Sequence, residues 1–158
     1  MALYMKYGSI DGDVTASGHE KWIQLNSFQW GVGRGVSSPV GAAADREASE
    51  PSVSEIVVTK EQDKASVKIL GESLLGSGEK VTIDFTRTDK DKLVTFLTFT
   101  LEEVMISGYS LSSGGERPAE SISLNFTKVE MKLTPTGAAN KSESPEAFTY
   151  SIAEAKKM

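Results

Sequence analysis

The 158-residue sequence predicts a mainly β protein, a bent-strand β-barrel of two packed antiparallel sheets with one short flanking α-helix. Three observations predict it. Segment after segment alternates apolar with polar residues, the period of a strand with one buried face. In three of these segments the apolar parity flips midway. A regular strand cannot send both halves to one core, whereas an extra residue at the flip, a β-bulge, restores them to one face and bends the strand. Finally, a single segment shows the three-and-four spacing of a helix. Bent strands turn corners, which suits a closed or nearly closed barrel better than a flat sheet.

Taken in order, Leu3 to Tyr7 reads as a first strand, ended by the turn-rich GSIDGD, where Gly12 and Asp13 suit a reversal. The stretch Ser17 to Arg34 follows, SGHEKWIQLNSFQWGVGR. Ile23 and Leu25 are odd-numbered and Phe28 and Trp30 even, so the first flip lies near Asn26-Ser27. All four are expected in the core, which turns Gln24 and Gln29 outward. Gly31 to Pro51 then holds four glycines, two prolines and the run GAAAD. A loop this long is commonly functional or disordered, and it reads as a contact arm.

Val53 to Lys60 is a further strand, with Ile56 and Val58 on one face. Asp63 offers an N-cap for a helix reaching about Leu75, closed by Gly76 or Gly78. Val67, Leu70 and Leu74, widened by Ile69 and Leu75, form a stripe expected to pack on a sheet. Lys80 to Arg87 alternates through Val81, Ile83 and Phe85. The longest run, Leu93 to Leu111, carries Leu97, Phe99 and Leu101, then Val104 and Ile106, with a flip near Glu102-Glu103. Ser121 to Leu133 places Ile122, Leu124 and Phe126 in the core and flips near Thr127-Lys128. Phe148, Tyr150 and Ile152 mark a last strand after a polar loop from Pro135 to Pro145.

The length suits one domain, residues 1–158, able to bury about 70% of its unfolded surface. A formal charge of -5 and a pI near 5.0 argue against nucleic acid, because no basic excess neutralises phosphates. With no cysteine, disulfides and thiolate chemistry are excluded. MALYMKYGSIDGD lacks the pattern of a cleavable signal peptide, and no apolar run approaches the roughly 20 residues of a membrane span.

Residues that might carry chemistry read as structural. His19 is the one histidine, in the turn SGHE, and no GxSxG elbow accompanies it. Gly31-Val32-Gly33-Arg34-Gly35 leads into Ser37-Ser38-Pro39 rather than a helix, so it is no dinucleotide loop. Gly71 and Gly76 have Walker spacing, but Ser77 stands where the lysine must be. Glu102-Glu103 reads as a solvated pair at a bend. Neither catalytic residue, cofactor nor metal site is expected. Trp22, opposite Ile23, hints at an interface.

SGH ahead of an alternating strand that closes on FQWGVG resembles the Hcp family, the haemolysin-coregulated proteins of type VI secretion. The resemblance continues through SEIVVTKEQDKAS (Ser54 to Ser66), LVTFLTFTLEEVMISGYS (Leu93 to Ser110) and ISLNFTKVEM (Ile122 to Met131). It implies a β-barrel flanked by a helix, built into a homo-hexameric ring with a central channel. Such rings stack into the inner tube of a contractile device, beside sheath and spike components. The tube is assembled in the cytoplasm and secreted without a cleaved signal peptide, and small effectors ride inside. No enzyme activity, nucleic acid or membrane insertion is implied. On this reading Gln24 and Gln29 line the channel. The arm at about 36–51, with Val36, Asp45, Arg46, Glu47 and Pro51, is a ring or stacking contact. Two other classes compete: a monomeric small-molecule-binding barrel with Trp22, Phe28 and Trp30 around an internal pocket, and a hydrolase using His19.

Overall fold

A computed structural model describes residues 1–37, 40, 47–135 and 144–158; Asp45 and Arg46 of the expected arm, and the GAAAD run, lie outside them. The elements run β1 (Ala2–Tyr7), β2 (Ile23–Leu25), β3 (Ser27–Gln29), β4 (Val32–Gly33), β5 (Val36–Ser37), β6 (Glu47–Ala48), β7 (Ser52–Val53) and β8 (Ile56–Glu61). The helix α1 (Ser66–Leu75) follows. Then come β9 (Glu79–Asp89), β10 (Lys92–Ser112), β11 (Ala119–Asn125), β12 (Lys128–Leu133), β13 (Glu146–Ser151) and β14 (Lys156–Lys157).

Ten strands share one antiparallel hydrogen-bond network that folds into two packed layers. One layer runs β2-β1-β9-β10-β12-β13-β14, and the other is the far half of β10 with β11, β8 and β3. Each expected parity flip is a bend that carries the chain between layers. At Asn26 the strand leaves β1, its partner through β2, and joins β8 through β3; the Asn26 amide donates to the Thr59 carbonyl at 2.7 Å. In β10 the register against β9 slips between Leu101 and Val104, where Glu103 takes φ 52°. Phe126 and Thr127 separate β11 from β12, which pair with opposite halves of β10. The layers do not close into a full barrel: the corners are bends within shared strands, not a continuous ladder.

The bends put both halves of each strand onto one core. Ile23, Leu25, Leu101, Val104, Ile122, Leu124, Phe126 and Val129 are all buried, while Phe28 and Trp30 are half-buried against the core's edge. Phe28 meets Phe85 and Phe99 at ring-centroid distances of 5.1 and 4.9 Å. Local chemistry agrees with the path. Lys90 and Asp91, both at positive φ, make the two-residue turn between β9 and β10. At Gly12 the backbone passes so close to the Trp22 carbonyl that a Cβ would sit 2.3 Å from its oxygen, so only glycine fits. Among the described residues, no helix is long and apolar enough to cross a membrane.

Candidate functional site

The expected arm is a ribbon at its base. β4 pairs with β7 (Val32 with Val53) and β5 with β6 (Val36 with Ala48), so part of what reads as loop in sequence is hydrogen-bonded strand. Glycine spacing hides the pairing, because the strands are two residues long and carry little apolar alternation. Ser54 clamps the root: its carbonyl accepts from the Trp30 indole at 3.1 Å, and its hydroxyl accepts from the Gly31 amide at 2.9 Å. Val36 and Pro51 are exposed. Between the root and β12–β13 lies an apolar groove of about 290 Å³, lined by Trp30, Val32, Pro51, Val53, Val129, Met131, Phe148 and Tyr150.

Gln24 and Gln29 are exposed, on the sides of β2 and β3 away from the core. Gln24 also lines a polar hollow of about 230 Å³ with Asp13, Asn26, Glu61, Asp63 and Arg117. Arg117 spans its edge, pairing with Glu61 at 3.4 Å and donating to the Gln62 carbonyl at 2.7 Å.

The helix departs from expectation. It starts at Ser66, after Asp63, whose carboxylate accepts the Ala65 amide at 2.9 Å just ahead of the first turn. Gly76 closes it, its amide bonding the Glu72 carbonyl. The stripe does not pack on the sheet: Val67, Leu70, Leu74 and Leu75 are 80, 44, 74 and 89% exposed, and only Ile69 of the set is buried. Polar anchoring underneath is the reason.

Lys60 and Glu120, directly paired across β8 and β11, are both fully buried and meet at 2.6 Å. The Lys60 ammonium also reaches Asp63 at 3.0 Å. Ser66, the first helical residue, donates to Glu120 at 2.6 Å, and the Tyr109 hydroxyl donates to its other oxygen. Burial pushes the Glu120 carboxyl up. The bonds from Lys60, Ser66 and Tyr109, with the Lys60 charge, outweigh that and hold it below the usual carboxylate range. Burial, then the Glu120 bond and charge, push the Tyr109 hydroxyl up to about 12. Sequence reasoning missed this anchor. The signal was parity: Lys60 continues the inward phase of Ile56 and Val58, and Glu120 that of Ile122 and Leu124.

His19 is buried, its Nε2 2.8 Å from Asp84, which also accepts from Thr98 at 2.8 Å. Tyr4 and Trp22 pack on its ring at 5.0 and 4.6 Å, so the half-buried Trp22 seals a latch between the 17–22 turn and β9. A substrate has no access to a histidine enclosed in this way. Glu102 faces Lys128 at 3.7 Å and Glu103 accepts from Thr127 at 3.0 Å, so the two carboxylates have separate partners. Trp22, Phe28 and Trp30 do not surround one cavity: Trp22 packs on His19, whereas Phe28 and Trp30 both pack on Phe99.

The family model for the type VI secretion system effector Hcp matches residues 4–133. The chain belongs to the Hcp family. Among solved structures, one described as a type six secretion system protein superposes with a TM-score of 0.90 at 26% identity, covering 99% of each chain. Hcp1 from Salmonella typhimurium gives 0.78 at 16% identity over 99% of this chain and 98% of that one. A type VI secretion system effector from Yersinia pestis gives 0.75 at 21% identity, over 95% and 99%. These last two likenesses are of fold. No curated protein matches the chain. As an Hcp, the protein is a secreted structural subunit of the type VI secretion tube, and the reading as a ligand-binding monomeric barrel is not favoured.

Proposed function

We propose that residues 1–158 form one Hcp-like unit that closes head to tail into a hexameric ring, and that the rings stack into the inner tube. The superposition covering 99% of both chains at a TM-score of 0.90 is the observation that supports this reading. A cyclic ring needs two different surfaces on each subunit, which a heterologous contact joins until it closes. The sheet edges at β2 and β3 and the exposed ribbon supply surface for it.

On this reading Gln24 and Gln29, exposed opposite the core, face the channel. The ribbon and the arm it carries, with Val36, Asp45, Arg46, Glu47 and Pro51, contact a neighbouring ring or subunit. The partners are further copies, the sheath and spike, and small effectors held in the channel. The protein assembles in the cytoplasm, is exported with the tube, and acts by assembly rather than catalysis.

Native mass spectrometry is expected to show a hexamer; a stable monomer at high concentration would overturn the reading. Deleting Val36 to Pro51 spares the β4–β7 base, since Gly33 and Ser52 are already paired. That variant should keep its melting temperature and lose stacking into tubes under electron microscopy. Unfolding instead would make the arm structural.

A further inference from the structure

We propose that the polar hollow beside Gln24 takes one lysine or arginine side chain of a cargo protein, an inference that rests on the reading above that Gln24 and Gln29 face the channel. Strand register shows what else that face offers. Ser27 pairs with Thr59 and Thr59 with Ser121, while Gln29 pairs with Val57 and Val57 with Ser123. Residues directly opposite in a ladder share a face, so these six stand together, turned away from the buried Val58 and Ile122. Five of them are hydroxyl or amide residues, and the sixth, Val57, is half-buried. None is charged, and Ser27 and Thr59 already hydrogen-bond each other. A wall of this kind has little apolar surface to bury and no charge to match, so it lets a polar protein slide past. Charge begins only at its end, where Glu61 continues the phase of Val57 and Thr59 and enters the hollow.

Inside the hollow the charges nearly cancel. Glu61 pairs with Arg117 at 3.4 Å, and Asp63 with the buried Lys60 at 3.0 Å. Among the described residues Asp13 has no cationic partner; its carboxylate accepts the Lys64 amide at 3.3 Å. One carboxylate is thus in excess, with the amides of Gln24 and Asn26 in the same lining and about 230 Å³ of space, room for one long side chain. A single cation with several N–H donors matches that set. An anion would meet Asp13, and an apolar group would strand the carboxylate and amides without partners. Arg117 shows the fit at the rim, where its guanidinium bridges the Glu61 carboxylate and the Gln62 carbonyl. One exposed pair holds weakly. Each copy presents the hollow once, however, and a channel gathers the copies around one cargo, so weak contacts add up to a firm grip that is still released singly.

Two probes of one shape test the hollow in the full-length protein: N-acetylarginine amide, and N-acetylcitrulline amide, its neutral counterpart. Titrations followed by NMR at the side-chain amides of Gln24 and Asn26 should give about fivefold tighter binding for the arginine probe. Asp13→Asn keeps an acceptor for the Lys64 amide, so the fold should stand, and it should bring the two probes level. Equal binding by the parent, or a preference that survives Asp13→Asn, overturns the proposal. The cargo role is tested with a peptide of six arginines on long flexible Gly-Ser spacers. It should bind the assembled protein about a hundredfold more tightly than the single probe. A preference for arginine with no gain from the peptide would place the hollows out of common reach, off the channel, and overturn the cargo role. Native mass spectrometry on the same samples separates the failures. A ring without arginine preference overturns the hollow and leaves the ring reading standing; a monomer at every concentration overturns both.

Discussion

Beneath α1 lie Lys60, Glu120 and Ser66, all buried, while above it stand Val67, Leu70 and Leu74, all exposed. A surface helix of a self-sufficient monomer shows the reverse, with its apolar stripe inward and its charges in water. The underside is held by a hydrogen-bonded ionic cluster that fixes where the helix sits. Such a pair contributes little net stability over an apolar replacement, but removal of one partner leaves a charge stranded. The upper side adds nothing to the isolated subunit. The contrast teaches that this helix is held to the subunit by its polar side, while its apolar face lies open.

Four measurements would break or sharpen that contrast. The largest effect is expected on the underside. Glu120→Ala should destabilise the subunit by about 3 kcal/mol in urea unfolding, because Lys60 stays buried with Asp63 as its remaining carboxylate. Lys60→Met with Glu120→Leu should recover most of that loss, to within about 1 kcal/mol of the parent. If the double change is as harmful as the single one, the cluster does more than position the helix.

Acid should act through the same group. The folded pKa of Glu120 is depressed, so its contribution is complete above the unfolded carboxylate value near 4.5 and fades as pH falls through the lower folded value. Urea midpoints of the parent measured from pH 6 down to pH 3 should fall more steeply than those of Glu120→Gln. Parallel curves would show that other carboxylates govern acid stability.

The upper side should behave oppositely. Gly71→Ala should stabilise the dilute subunit by about 1 kcal/mol, since alanine favours the helix and its methyl group meets nothing. A loss of stability instead would show that the position has a use within the subunit. The smallest effect on folding is expected from Leu74→Ser, within about 0.5 kcal/mol of the parent, because the side chain is 74% exposed. Its effect should appear in the oligomer distribution by analytical ultracentrifugation.

Much of this was legible in the residues. Alternation located most strands of the two layers, and the parity flips at Asn26-Ser27, Glu102-Glu103 and Thr127-Lys128 fall where the chain bends between layers. The two-residue strands of the ribbon and β14 were not legible, since so short a segment carries no period. Nor was the orientation of α1. Its stripe has the spacing of a packed face, and spacing alone does not say whether the partner belongs to the same chain.

The sequence by itself determined the longer strands, the helix, the bends and the family, because these depend on local patterns of side chains along one chain. Only the tertiary structure decided that Lys60 meets Glu120, that His19 is enclosed with Asp84, and that the helix turns its leucines outward. Those outcomes depend on which strands become neighbours. Lys60 and Glu120 stand 60 positions apart, and register between β8 and β11 brings them together. A buried charge is tolerable only once such a partner has arrived, and that is settled in space rather than along the chain.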